Sequence, residues 1–253
     1  VDDERRTRGS YRRLPSGQRR DQIIAAAIAT FSENPDASLG EVAAAAGISR
    51  TSLYRFFETR QDLLHAAFRL AGSRLVSQVN DVPRGSPSTV LVTGLHNFFE
   101  FVEQYDTAYV AFMQWGSPLA TQEIRDAAQQ VRDQIGRFVC QALRVTEVTP
   151  LLDITVRTWV AGVENAALHW LRERHPSRGE IQLIVATNLG TMLFNAAAYD
   201  PAIAERIDWW LRAESPDTPM AAHLRSLAGM CTVPIVANVT RLILREGRPA
   251  PGG

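Results

Sequence analysis

Five polar side chains fall within six consecutive positions: Arg50, Thr51, Ser52, Tyr54 and Arg55, interrupted only by Leu53. On a short helix that buries Leu53, the five point to solvent. Guanidinium and hydroxyl groups on such a face match the base edges and phosphates of duplex DNA. A helix fits the major groove, about 12 Å wide, with its N-terminal residues at base edges. There Arg50 can pair bidentately with guanine and Thr51 can touch a thymine methyl. Ser52, Tyr54 and the cap hydroxyls of Ser38 and Ser49 suit phosphates, helped by the helix N-terminal dipole. Upstream, Arg5, Arg6, Arg8, Arg12, Arg13, Arg19 and Arg20 occur with no acidic residue among them. A basic arm of this kind can follow the backbone or enter a minor groove, where the negative potential attracts arginine.

The flanking residues supply the elements that would hold this face outward. A first helix is expected over 18–32, with Ile23, Ile24, Ala27 and Phe31 on one side. Asn34-Pro35-Asp36 ends it. Ser38 and Glu41 form a capping box, opening a helix that stops at Gly47. Ser49 then caps a third helix, expected over 50–56. Val42, Ala43, Ala46, Ile48, Leu53 and Phe57 are expected to be buried against the first helix. Helix, glycine turn, helix is helix-turn-helix grammar. Taken alone it also describes an ordinary helical hairpin. The arginine arm, the capping box and the polar face together favour the DNA-binding form.

Lys+Arg and Asp+Glu are both 27, and every one of those basic residues is arginine. With no net charge, the positive charge needed for DNA must be concentrated locally, as the arm is. Hydrophobic residues make up 45% of the 253, which supports a sizeable core and excludes wholesale disorder. Cys140 and Cys231 lie in apolar stretches and read as free thiols of a reducing cytosol. No secretory signal is evident, and the apolar run 181–199 holds Gln182, Asn188 and Asn195, so it reads as a buried helix rather than a membrane span. A cytoplasmic protein without a membrane partner is expected.

The remainder also reads as helix, making the chain all-α. One long helix runs from about 60 to 80. A linker follows over 81–88, then helices over 89–104, 106–115, 119–143, 151–174, 180–198, 201–212 and 219–231, with a last one reaching 244. The expected organisation is a flexible basic arm (1–17), a helix-turn-helix domain (18–64) and a helical regulatory domain (65–253) with additional helices after 200.

At residues 19–64 the chain resembles the tetracycline-repressor (TetR) family of bacterial regulators. The resemblance rests on RRDQIIAAAIATF and SLGEVAAAAGISRTSLYRFFETRQDLL. The family pattern, Ala-Gly-Val-Ser then Leu-Tyr-x-His-Phe-x-x-Lys, meets Ala46, Gly47, Ile48 and Ser49, then Leu53, Tyr54, Phe56, Phe57 and Arg60. Arg60 in place of lysine keeps a charge for a phosphate; Phe56 in place of histidine removes a polar contact. The resemblance implies three N-terminal helices for DNA and a C-terminal helical domain that dimerises and binds an effector. It further implies that the helix containing 159–171 is the penultimate core helix and that 180–198 is its partner in dimerisation.

Two features of the C-terminal part bear on this. Phe98, Phe99, Phe101, Tyr105, Tyr109, Phe112 and Trp115 crowd one stretch, and Phe138 and Trp159 can join them. Aromatic walls with a few polar groups suit a small apolar or amphipathic ligand, and the same spacing also builds a plain core. Candidate polar anchors are His96, Asn97, Gln114, Arg157, Glu164, Asn165 and His169. Ala161, Gly162, Ala166, Ala186 and Gly190 permit close helix approach, either between two copies or within one.

No enzyme signature is present: no P-loop, dinucleotide fingerprint, nucleophile elbow or zinc-protease motif. The five histidines have no metal-ligand spacing. Glu164 and His169, five apart, lie about 140° around a helix and share no face. Neither catalysis, a metal nor a cofactor is expected. The competing reading is a protein-interaction module.

Overall fold

A computed structural model describes residues 16–34, 36–107, 109–110 and 121–214, and residues 221, 222, 225, 226 and 229. Its described elements are helices. The chain divides between Leu70 and Ala71 into two compact units.

The first unit holds α1 (Ser16–Glu33), α2 (Leu39–Ala45), α3 (Arg50–Tyr54) and the first half of α4 (Arg60–Asn80). α2 packs on α1 and α3 packs on α2. Ile23, Ile24, Ala27 and Phe31 recur at helical spacing and are all buried. Val42, Ala43, Ala46, Leu53 and Phe57 join them, while Ile48, in the turn, is only half-buried.

In the second unit lie α5 (Pro87–Gln104), α6 (Gln122–Ala142), α7 (Pro150–Glu173), α8 (Arg178–Ala197) and α9 (Pro201–Ala213). α8 is the hub: α7, α9 and α5 all pack on it. Its residues 181–197 carry no charge, so the helix can be approached from several sides without stranding an ion. The core runs through Phe99, Val102, Val139, Leu189, Leu193 and Ile203, each almost inaccessible to solvent. Burying a side chain of this size stabilises by about 1.5–3 kcal/mol. Phe99 meets Phe98 edge-on at 5.4 Å and Trp170 at 5.8 Å between centroids, a favoured aromatic geometry. Gly94 brings α5 so close to α6 that a Cβ would lie 2.6 Å from the Phe138 ring.

Element boundaries move where prolines occupy the first helical turn. α5 begins at Pro87, inside the stretch expected to be linker, because Ser86 caps it by accepting from the Thr89 amide. Proline is tolerated there, since its missing N–H would have no helical partner. Thr149 and Pro150 open α7 in the same way. α6 ends on Arg144, which takes the left-handed conformation (φ 52°) and stacks its guanidinium on Trp209, 5.2 Å from the ring centroid.

The additional sequence after 200 begins as integral core. Ile203, Ile207 and Trp210 of α9 are buried. Just beyond it, the buried Glu214 carboxylate accepts from Ser86 Oγ, the Ser88 amide and Trp210 Nε1. The end of α9 is thereby tied to the start of α5. The helices expected over 219–231 and toward 244 lie mostly outside the described residues. So do Phe112, Gln114 and Trp115, Cys231, and the arm from Arg5 to Arg13.

Candidate nucleic-acid interface

The polar face is built by three local devices. At the start of α2, the Ser38 amide and hydroxyl both donate to Glu41 Oε2 at 2.7 Å, and the Glu41 amide donates to Ser38 Oγ at 3.3 Å. These contacts, the Ser38 amide foremost, draw the Glu41 carboxyl below its usual value. At the other end, Gly47 adopts φ +65°. Its amide donates to Ala44 O and the Ile48 amide to Ala43 O, both at 3.0 Å. This pair of bonds satisfies the last carbonyls and turns the chain sharply. Ser49 then caps α3, accepting from the Ser52 amide at 3.2 Å. Replacing Gly47 by valine, a β-branched residue in left-handed backbone, is expected to cost about 1–3 kcal/mol. Thermal unfolding of the first unit is the measurement, and an unchanged midpoint would show that the turn relaxes.

Leu53 is fully buried, which fixes the rotation of α3. Arg50, Thr51, Tyr54 and Arg55 are consequently exposed, Tyr54 at 45%. Ser52 is half-buried and shares a 2.9 Å hydrogen bond with Ser49 Oγ. The Arg50 guanidinium lies back against α2: a Cβ on Gly40 would be 3.4 Å from Arg50 Nε. The absent side chain at position 40 leaves room for this arginine, a link that local spacing does not reveal.

The other arginines divide between surface and scaffold. Arg20 stacks on Phe57 at 4.9 Å from the ring centroid, and Arg19 donates to Gln22 Oε1 at 3.1 Å. Gln22 Nε2 in turn donates to Ala46 O at 3.1 Å, fastening α1 to the end of α2. Arg60 is committed within the protein: Nε donates to Ala37 O at 3.0 Å and the guanidinium lies over Phe31 at 5.1 Å. It braces the α1–α2 turn while remaining half-exposed. Phe56, the position without a polar contact, is half-buried.

Of the candidate ligand residues, Phe112 and Trp115 lie outside the described residues, and the others are brought together only in part. Phe98 and Trp159 border an interior cavity of only about 40 Å³, and the Trp159 indole N–H is used by Val185 O at 2.8 Å. Phe101 packs on Tyr105 at 4.7 Å. Tyr109 is buried edge-on to Phe98; burial first, then the nearby Glu164 carboxylate, push its hydroxyl well above the usual phenol range. Asn165 and His169 are exposed on α7 and border neither the interior cavity nor a groove between α6 and α7. Of the other anchors, Asn97 donates to Gln78 O and Asp81 O, and His96 is exposed. Glu164, by contrast, is largely buried, pairs with Arg132 at 2.9 Å and borders the interior cavity. Among the described residues, no group of three or more His, Cys, Asp or Glu is placed to hold a metal ion, and no helix is long and apolar enough to cross a membrane.

Comparison with known proteins accounts for both units. Residues 23–67 match the family described as bacterial regulatory proteins, tetR family. Residues 87–189 match the tetracyclin repressor-like C-terminal domain. An HTH-type transcriptional repressor, LfrR of Mycolicibacterium smegmatis, is 41% identical over 59 residues, 22% of this chain and 31% of that protein. The match thus spans less than a third of this relative's length. The crystal structure of a tetR-family transcriptional regulator from Streptomyces coelicolor superposes with TM-score 0.77 at 26% identity, covering 86% of this chain and 99% of that one. A TetR-like transcriptional regulator from Rhodococcus sp. RHA1 shares the fold at TM-score 0.56 and 21% identity, covering 70% of this chain and 96% of its own. With the helix-turn-helix and the helical C-terminal domain each matched, the chain belongs to the TetR family of transcriptional regulators.

Proposed function

We propose that the protein is a repressor that binds operator DNA as a homodimer and is released by a small-molecule effector in the cytoplasm. The observation carrying this reading is the outward set Arg50, Thr51, Tyr54 and Arg55 around a buried Leu53. Such a face suits the major groove, and on this reading Arg50 meets guanine and Ser38, Ser49 and Ser52 meet phosphates. Arg19, Arg20 and the half-exposed Arg60 add positive charge beside it. The division of labour is 18–64 for DNA and 65–253 for dimerisation and effector binding.

Dimerisation is supported by a second surface. Ile154 is 60% exposed and Leu183 57%, and Ile184 is also exposed. Along α7 the exposed strip continues through Thr158, Ala161, Gly162 and Asn165, and along α8 through Asn188, Thr191 and Asn195. The residues of the two strips are uncharged, and the exposed Arg157 borders the one on α7. A ligand selecting a dimer geometry in which the recognition helices no longer match the half-sites, about 34–36 Å apart, would release DNA.

A gel shift on the DNA upstream of the gene tests the assignment. A salt-sensitive, sequence-selective shift is expected. Arg50→Ala should weaken specific binding by about 1–3 kcal/mol and leave random DNA less affected. Equal loss on both would make Arg50 a phosphate contact. The absence of any shift would favour an interaction module instead.

A further inference from the structure

Among the described residues, Phe98 and Trp159 border a cavity of about 40 Å³, below the size of a small-molecule site. A groove of about 650 Å³ lies elsewhere, between α6 and α7, within the range of ~300–1,000 Å³ that small-molecule sites occupy. Its floor is apolar, formed by Gly136, Cys140, Val145, Val156 and Val160.

The charges along its edge are unequally engaged. Arg157 holds both Asp133, at 2.7 Å, and Asp153, at 2.8 Å. Arg132 holds Glu164 through its Nε, 3.1 and 2.9 Å from the two carboxylate oxygens. All three carboxylates on the groove are therefore engaged by arginines. Arg137, also lining the groove, makes no hydrogen bond or ion pair among the described residues and feels only the charge of Asp133, which Arg157 already holds. An incoming cation would have to displace a guanidinium from a carboxylate. An incoming anion finds a guanidinium whose hydrogen-bond donors are unused among the described residues. An apolar floor beside one guanidinium with unused donors is complementary to a molecule that is apolar along its length and anionic at one end.

We infer that this groove is the effector site and takes an amphiphile with one anionic head, the head at Arg137 and the apolar body along Cys140, Val145 and Val156. The inference rests on the reading of the C-terminal unit as the ligand-responsive half. Gly136 offers a way to close the groove without disturbing the core, because a Cβ there would meet only Val156 Cγ1, at 3.5 Å. Gly136→Leu fills the floor and places a stronger helix former within α6.

Titration calorimetry of the full chain with decanoate and with decyltrimethylammonium tests head charge at constant tail length. Decanoate is expected to saturate at one per protomer and to bind about tenfold or more tighter than the cation, as one charge-assisted contact allows. Arg137→Glu should abolish that preference, and Gly136→Leu should abolish binding. Decanoate should weaken the operator gel shift of the parent and leave that of Gly136→Leu unchanged. Preference for the cation, or undiminished decanoate binding in both variants, overturns the inference. So does conversion of either variant to a monomer, which would make the groove a face between copies. The operator shift without amphiphile separates the two readings. If it is absent while decanoate binds as described, the regulator assignment fails and the groove stands. If it is intact while decanoate does not bind, the groove alone fails.

Discussion

Gly162→Glu should convert the proposed dimer to monomer and lower operator affinity by roughly 10²–10⁴-fold, the avidity gained by joining two binding modules. Gly162 is exposed on α7, and a Cβ at this position meets nothing within 4 Å in its own chain. The substitution therefore costs the folded protomer little and replaces the weakest helix former short of proline. Its effect would be felt by a second copy. A carboxylate buried among the uncharged Thr158, Ala161 and Asn165 is desolvated, and an unpaired buried charge costs several kcal/mol. Sedimentation or light scattering reads the oligomer, and a gel shift reads the affinity. A variant that stays dimeric with parental operator affinity would show that the copies meet through another face.

A second large effect is expected on stability. Glu214 is 6% exposed, and its carboxylate receives the Ser88 amide at 3.1 Å and Trp210 Nε1 at 3.0 Å in addition to the Ser86 hydroxyl. The indole N–H also reaches Ser88 Oγ at 3.1 Å. The negative charge sits at the N-terminus of α5, where the helix dipole favours it. Glu214→Ala removes the acceptor and leaves the Ser88 amide without it in a buried site. A hydrogen bond to a charged group contributes about 1.5–3 kcal/mol, and stranding a buried donor costs about as much again. A loss of about 3–4 kcal/mol is expected, which for a unit of this size lowers the melting temperature by roughly 6–16 °C. Glu214→Gln retains one accepting oxygen and should lose less. Calorimetry showing the alanine variant melting with the parent would mean that the start of α5 and the end of α9 do not depend on this carboxylate.

These two effects differ in how far they could be read in advance. The small residues around Gly162 were visible in the chain, but their spacing is the same whether the partner helix belongs to one copy or two. Burial separates them: Ala161 and Gly162 face out, Ala166 and Ala186 are half-buried, and Gly190 is buried. Glu214 carried no local signal, since Ser88 lies 126 residues away. Arg60 illustrates the same limit. The family pattern implies a charge for a phosphate, whereas tertiary packing gives its guanidinium a carbonyl and an aromatic ring as partners. The aromatic residues of α5 were legible as a cluster, but whether such a cluster encloses a ligand or simply fills space depends on cavity volume, which periodicity does not encode.

Order along the chain determined the caps at Ser38 and Ser49, the left-handed turn at Gly47, the inward Leu53 and hence the outward arginines of α3, because each depends on groups within a few residues of one another. Folding in three dimensions decided which polar side chains are already engaged and which remain available, where space is left, and that α9 is part of the core. Those outcomes depend on distances between groups far apart in sequence, and packing forces set such distances collectively rather than residue by residue.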